Sequence, residues 1–132
     1  MKMSGISIAH VALWTTDIDR LAMFWQTIFD AGVGEAYHSR NRPGFVSRFL
    51  TLESGPTIEL MQGPWIAAPD EPEERAGYAH LALSLGSRDA VDAMATRAAG
   101  LDILVAAPRR TGDGFYEAVL RDPDGNLIEI TT

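Results

Sequence analysis

The chain contains no cysteine, which excludes disulfides, thiolate ligands and cysteine nucleophiles. Any metal or catalytic centre must therefore be built from nitrogen and oxygen. No run approaches the roughly 20 apolar residues of a membrane-spanning helix, and segment 1–9 holds one lysine and no long apolar stretch. Basic residues are few: 11 Lys and Arg face 18 Asp and Glu, without clustering, for a formal net charge of -7. That balance opposes binding to a nucleic-acid backbone or to an anionic membrane. The expectation is a soluble, cytoplasmic protein whose partner is a small molecule.

What the chain does have is enough apolar sequence for one core, with 132 residues of which 46% are hydrophobic, and a repeat. His10 and Glu59 are 49 residues apart, His80 and Glu129 are also 49 apart, and each member of the second pair follows its counterpart by 70 positions. The surroundings repeat as well: Ala9-His10-Val11-Ala12-Leu13 is echoed by Ala79-His80-Leu81-Ala82-Leu83, and Gly55-Pro56-Thr57-Ile58-Glu59-Leu60 by Gly125-Asn126-Leu127-Ile128-Glu129-Ile130. A unit of about 60 residues is marginal alone, so the two copies are expected to complete each other, within a chain or between chains. Imidazole and carboxylate at matching places suggest a shared metal. Two neutral nitrogens and two anionic oxygens suit Ni²⁺, Zn²⁺, Co²⁺, Fe²⁺ or Mn²⁺. An unpaired carboxylate inside an apolar strand is costly to bury, and a cation accounts for both Glu59 and Glu129.

Periodicity places these residues on strands. Ser7 to Trp14 alternates, with Ile8, His10, Ala12 and Trp14 on one face. Asp17 caps a helix carrying Leu21, Phe24, Trp25, Ile28 and Phe29 at helical spacing, and Gly32 is expected to end it. Strands follow near Val33 to Ser39, Val46 to Glu53 and Thr57 to Gln62. The second copy repeats the order: a strand at Tyr78 to Leu85, a helix near Arg88 to Ala99 ended by Gly100, then strands near Ile103 to Ala106, Phe115 to Arg121 and Leu127 to Thr131. Asp122-Pro123-Asp124-Gly125 matches a type I turn. One domain over 1–132 thus holds a first β-α-β-β-β module at 7–62, a proline-rich acidic linker at 63–77 and a second module at 78–131.

Alternation puts Thr57, Glu59 and Met61 on one face, and Leu127, Glu129 and Thr131 on the matching face, while Ile128 and Ile130 pack under the helix. The four candidate ligands then lie opposite the helices, where an α+β fold with a curved eight-stranded mixed sheet forms a cup. Trp14, Phe49, Met61 and Val119 fall on the cup face as candidate substrate contacts. Glu117 also falls there and reads as a solvated edge carboxylate. His38 reads as exposed and without a role. Arg40, Arg42, Arg48, Arg109 and Arg110 read as surface charges. Trp65 and Ile66, unusual in a linker, read as docking on the body of the fold or on a partner chain.

Paired β-α-β-β-β modules carrying His10, Glu59, His80 and Glu129 resemble the vicinal oxygen chelate superfamily over nearly the whole chain, Ile8 to Ile130. The segments Gly77 to Leu83 and Asp122 to Glu129 look especially like those of bacterial glyoxalase I. The resemblance implies one divalent ion, Ni or Zn foremost, held by the four residues, a homodimer, and a lyase or isomerase that works through a metal-chelated enediolate. It also implies Glu129, then Glu59, as the base that moves the proton. The chain departs from glutathione-using members at two places: Trp14 stands where an Arg is expected and Gly63 where an Asn is expected. Both losses argue against glutathione as the thiol. Three rivals follow from the same resemblance: a metal-dependent epimerase, an extradiol dioxygenase and a metal-free drug-binding protein. The epimerases generally carry Gln at the place of Glu59, and in the dioxygenases Glu59 would block a position that catechol or O₂ needs.

Overall fold

The computed structural model of the chain describes residues 3–70 and 74–132. These divide into two compact units, Met1–Pro69 and Asp70–Thr132. Each is a mixed sheet with one helix on it, so the chain is α+β with the same architecture built twice.

In the first unit β1 (His10–Trp14) leads into α1 (Ile18–Phe29), followed by β2 (Gly32–Val33), β3 (Tyr37–His38), β4 (Val46–Thr51) and β5 (Thr57–Gln62). The sheet order is β1-β5-β4-β2, with β3 also on β4. Asp17 caps α1 as its sequence indicates, its carboxylate accepting from the Arg20 N–H at 3.0 Å. A second tie is long-range: Gln62 Oε1 accepts from the Ile18 N–H at 2.6 Å, fastening the helix start to the end of β5. The helix buries Leu21, Ala22 and Trp25 on the sheet face that carries Leu50, Ile58 and Leu60.

The strands expected from Ser7 to Trp14 and from Val46 to Glu53 are shorter, starting at His10 and ending at Thr51, and two further expectations for this unit need correcting. The helix ends at Asp30, not Gly32; Asp30 adopts the left-handed conformation (φ 55°) and its N–H returns to the Gln26 carbonyl, a role that Asp can fill because its short polar side chain tolerates that region. The strand expected from Val33 to Ser39 is broken into β2 and β3. Between them Gly34 donates to the Phe49 carbonyl at 2.8 Å, and a Cβ on Gly34 would come within 3.2 Å of that oxygen.

The second unit runs β6 (His80–Ser84), α2 (Arg88–Gly100), β7 (Leu104–Arg110), β8 (Tyr116–Arg121) and β9 (Leu127–Thr131), in sheet order β6-β9-β8-β7. Ser87 caps α2, accepting from the Ala90 N–H at 3.1 Å. Val91, Ala95 and Ala98 are buried, as are Ala118, Leu120, Ile128 and Ile130 on the strands. Gly100 is the last helical residue, so Leu101 takes the cap. β7 runs past the expected Ala106 to Arg110 and includes Pro108. As the sheet edge it tolerates proline, and its register shifts twice. Among the described residues no helix is long and apolar enough to cross a membrane.

The turn before β9 shows how the Glu129 strand is set in register. Asp122 is 4% exposed. Its carboxylate accepts from the Asp124 and Asn126 N–H groups at 2.9 and 2.8 Å, and from the Asn126 side chain at 2.9 Å. Asp122→Ala leaves these donors without their acceptor and is expected to cost about 2–3 kcal/mol in urea unfolding, since hydrogen bonds to charged groups contribute about 1.5–3 kcal/mol each and water recovers part. Asp122→Asn keeps one acceptor oxygen and is expected to lose less.

Candidate functional site

In the first unit the parallel β1–β5 ladder sets His10 beside Thr57, Ala12 beside Glu59 and Trp14 beside Met61. Ladder partners project to the same side, so these six residues share one face, and the helix takes the other through Ile58 and Leu60. His10 Nε2 lies 3.6 Å from Glu59 Oε1. Phe49, opposite Glu59 on β4, sets its ring edge-on to the His10 imidazole at 5.8 Å.

The second unit reproduces the arrangement. His80 pairs with Leu127 and Ala82 with Glu129, and His80 Nε2 lies 3.2 Å from Glu129 Oε2. Val119 sits opposite Glu129 on β8 and is half-buried. In both pairs the imidazole is the more open partner: the histidine side chains are 48% and 39% exposed and the glutamates 18% and 20%.

These separations fit a shared cation. Two donors each about 2.1 Å from one ion, at octahedral or tetrahedral angles, lie about 3.0–3.4 Å apart. Each pair therefore has close to the bite of two neighbouring ligands, with one nitrogen and one anionic oxygen. Among the described residues no group of three or more His, Asp or Glu side chains gathers at metal-binding distance, so each unit offers two donors.

Glu117 is more than a solvated carboxylate. It stands opposite Thr131 and on the same face as Glu129, and the two carboxyl groups share a hydrogen bond that pushes the Glu117 pKa up to about 7 from an ordinary 4.5. Partial desolvation and the negative charges of Glu129 and Asp113 add to the rise, and Arg109, opposite Glu117 on β7, opposes it. The raised value gives a testable sign. The folded chain holds a proton here that the unfolded chain releases, so this contribution to stability is complete below about pH 4.5 and lost as pH rises through about 7. In chelator-treated protein the thermal midpoint is expected to fall across that window, and Glu117→Gln is expected to flatten the fall. A slope unchanged in the variant would contradict the shared proton.

Trp14 and Phe49 are exposed and Met61 is half-buried. Trp65 lies edge-on to Trp14 at 6.3 Å between ring centres, and Phe45 does so at 6.1 Å. Trp65 thus docks on its own unit, while its side chain stays 43% exposed. Arg42 is not a detached surface charge: its guanidinium carbon lies 4.2 Å from the Trp65 ring centre, 5.7 Å from Trp14 and 5.8 Å from Phe45. Arg48, by contrast, is tied to the Gly34 carbonyl at 2.9 Å and to Asp19 at 3.2 Å, a structural role. Arg40, Arg109, Arg110 and His38 are exposed. Sequence reasoning placed Glu117 on the correct face but missed its partner. The Arg42 stack had no sequence signal, because it joins three segments distant in the chain.

A family model described as glyoxalase/bleomycin resistance protein/dioxygenase superfamily matches residues 7–130. An uncharacterised protein of Pseudomonas aeruginosa is 32% identical over 95% of this chain and 87% of its own length. The metallothiol transferase FosB of Shouchella clausii is 36% identical over 95% of this chain and 79% of its own. A glyoxylase/bleomycin resistance protein/dioxygenase domain from Frankia sp. EAN1pec superposes with a TM-score of 0.81 at 21% identity, covering 98% of both chains.

Proposed function

The chain belongs to the glyoxalase/bleomycin resistance protein/dioxygenase superfamily, and within it we propose a divalent-metal-dependent lyase or isomerase of the glyoxalase I type. It acts on a small substrate with neighbouring oxygens and does not depend on glutathione. The observation that carries the reading is the doubled His–Glu pair at a chelating separation, 3.6 Å in one unit and 3.2 Å in the other. His10, Glu59, His80 and Glu129 would together hold one ion, Ni or Zn foremost, with Co, Fe or Mn as alternatives. The domain assignment is modules at 7–62 and 78–131 joined by 63–77, in a homodimer that pairs modules within or across subunits.

A divalent ion there supplies Lewis-acid polarisation of a substrate carbonyl, which acidifies the neighbouring C–H. The chain's own residues do the rest. His10 and His80 contribute neutral nitrogens, and Glu59 and Glu129 contribute negative charge. Glu129 is the preferred base because Glu117, its hydrogen-bonding neighbour on the same sheet face, can release its own proton to water as Glu129 takes up the abstracted one; Glu59 is second. Trp14, Phe49, Met61 and Val119 supply apolar surface that limits water near the reacting carbon.

The relationship to FosB favours one second reading, metal-dependent transfer of a thiol to a small substrate. The product separates the two: an isomer of the substrate in the first case, a thiol adduct in the second. The hemithioacetal of phenylglyoxal with 2-mercaptoethanol, offered to Ni²⁺- or Zn²⁺-loaded protein, is expected to isomerise, and the activity to vanish with chelator. Failure to bind any of the candidate metals would overturn the enzyme and leave a metal-free binding protein.

A further inference from the structure

The Arg42 stack has the construction of a recognition element. Its parts come from three places: Trp14 from the end of β1, Arg42 and Phe45 from the β3–β4 loop, and Trp65 from the segment after β5. The loop is fixed by its own hydrogen bonds. Ser39 Oγ accepts from the Arg42 N–H at 3.0 Å, the Arg42 carbonyl accepts from the Phe45 N–H at 3.0 Å, and the Phe45 carbonyl accepts from the Ser39 N–H at 3.1 Å. Two glycines make room for the rings. A Cβ on Gly63 would lie 2.4 Å from the Trp65 indole, and one on Gly44 (φ +89°) would lie 2.7 Å from Pro64. A side chain that merely trailed into solvent would need none of this.

The guanidinium is held by ring faces alone. Among the described residues no carboxylate or carbonyl pairs with it, and Arg42 is exposed. A contact with ring faces consumes no N–H donor, so the guanidinium keeps donors that can bond an oxyanion through two parallel hydrogen bonds. Its position relative to the His10–Glu59 pair follows from register. Trp14 lies two residues beyond Ala12, the partner of Glu59, on the same face, or about 7 Å along the strand.

We propose that Arg42, held on Trp65, Trp14 and Phe45, binds an oxyanion group of the substrate, a carboxylate or a phosphonate, beside the His10–Glu59 pair. This names a substrate class for the reading above and rests on it only for the word substrate: the anion contact needs no metal. A net charge of -7 gives the chain no general attraction for anions, so anion binding at this place would rest on the local guanidinium of Arg42. The two tests therefore separate cleanly. Metal affinity tests the His–Glu pairs, and anion affinity tests Arg42.

The experiment titrates metal-free protein with benzoate, phenylphosphonate and neutral benzamide, following the Arg42 Nε–H and Trp65 indole N–H resonances. Both anions are expected to shift the Arg42 resonance saturably, whichever of them binds tighter naming the anion, and benzamide to bind at least about tenfold more weakly. Arg42→Gln is expected to lose about tenfold or more for the anions and little for benzamide. Glu59→Gln, which impairs the metal pair, is expected to leave the Arg42 shifts in place. Equal affinity for benzoate and benzamide, anion affinity unchanged in Arg42→Gln, or no saturable Arg42 shift with either anion would each overturn the proposal.

Discussion

Replacing His80 with alanine is expected to weaken binding of the divalent ion by at least about a hundredfold and to abolish turnover, and His10→Ala is expected to do the same. The magnitude follows from the donor count. A four-ligand zinc site contributes about 10–16 kcal/mol in all, so one ligand accounts for about 3 kcal/mol, or a factor of about a hundred. Glu59→Gln and Glu129→Gln each remove an anionic donor from a strand face where the glutamate side chains are only 18% and 20% exposed, so losses of similar size are expected. The pattern carries more information than any single value. Four residues on one ion act as a unit, so the double variant His10→Ala/His80→Ala should lose far less than the sum of the singles in activity, because either single change already removes it. Independent pairs would behave differently: His80→Ala would leave the His10–Glu59 pair binding at its original strength. Isothermal titration with Zn²⁺ and Ni²⁺ separates these outcomes.

The second large effect concerns glutathione. The methylglyoxal–glutathione hemithioacetal is expected to be a poor substrate even for fully loaded protein, with kcat/KM below about 10⁴ M⁻¹s⁻¹. The resemblance implies a guanidinium where Trp14 stands and an amide where Gly63 stands; each lost charge-assisted contact costs about 1.5–3 kcal/mol, or about two to four powers of ten together, of which Arg42 would restore one contact at most. The structure adds that the departures belong together. Gly63 lacks a side chain where the Trp65 indole lies, 2.4 Å from where a Cβ would be, and that indole packs against Trp14. Gly63→Asn alone should therefore displace Trp65 and lower stability instead of installing an amide. Only with Trp65→Ala beside it does the asparagine have room, and that double variant should keep its fold. Wild-type turnover of the hemithioacetal in the ordinary enzyme range would contradict this reading.

Much of this was legible in the chain because repeats and alternation are local signals. The equal spacings of His10–Glu59 and His80–Glu129 gave the pairs, and period-two alternation put Glu59 and Glu129 on the face away from Ile58 and Ile128, where the ladders place them. Thr57–Gln62 and Leu127–Thr131 were readable to the residue, because turns precede each strand and buried Ile58 and Leu60, or Ile128 and Ile130, flank the glutamate on either side. What escaped reading depends on tertiary context or on an uncommon local choice. Asp30 in a left-handed cap competes with the nearby Gly32, and an edge position lets β7 continue through Pro108. Glu117 acquires its character from Glu129 on the next strand, and Arg42 from rings contributed by residues 14 and 65. Neither relation has a fixed sequence spacing.

The most direct measurement is X-ray absorption on protein loaded with Ni²⁺ or Zn²⁺, combined with the metal content per chain. One ion per chain, coordinated by two imidazoles with oxygen donors making up the remainder at about 2.0–2.2 Å, is the result expected if His10, Glu59, His80 and Glu129 meet on a common centre. Two ions per chain with one imidazole each, or an ion with no imidazole, would contradict it.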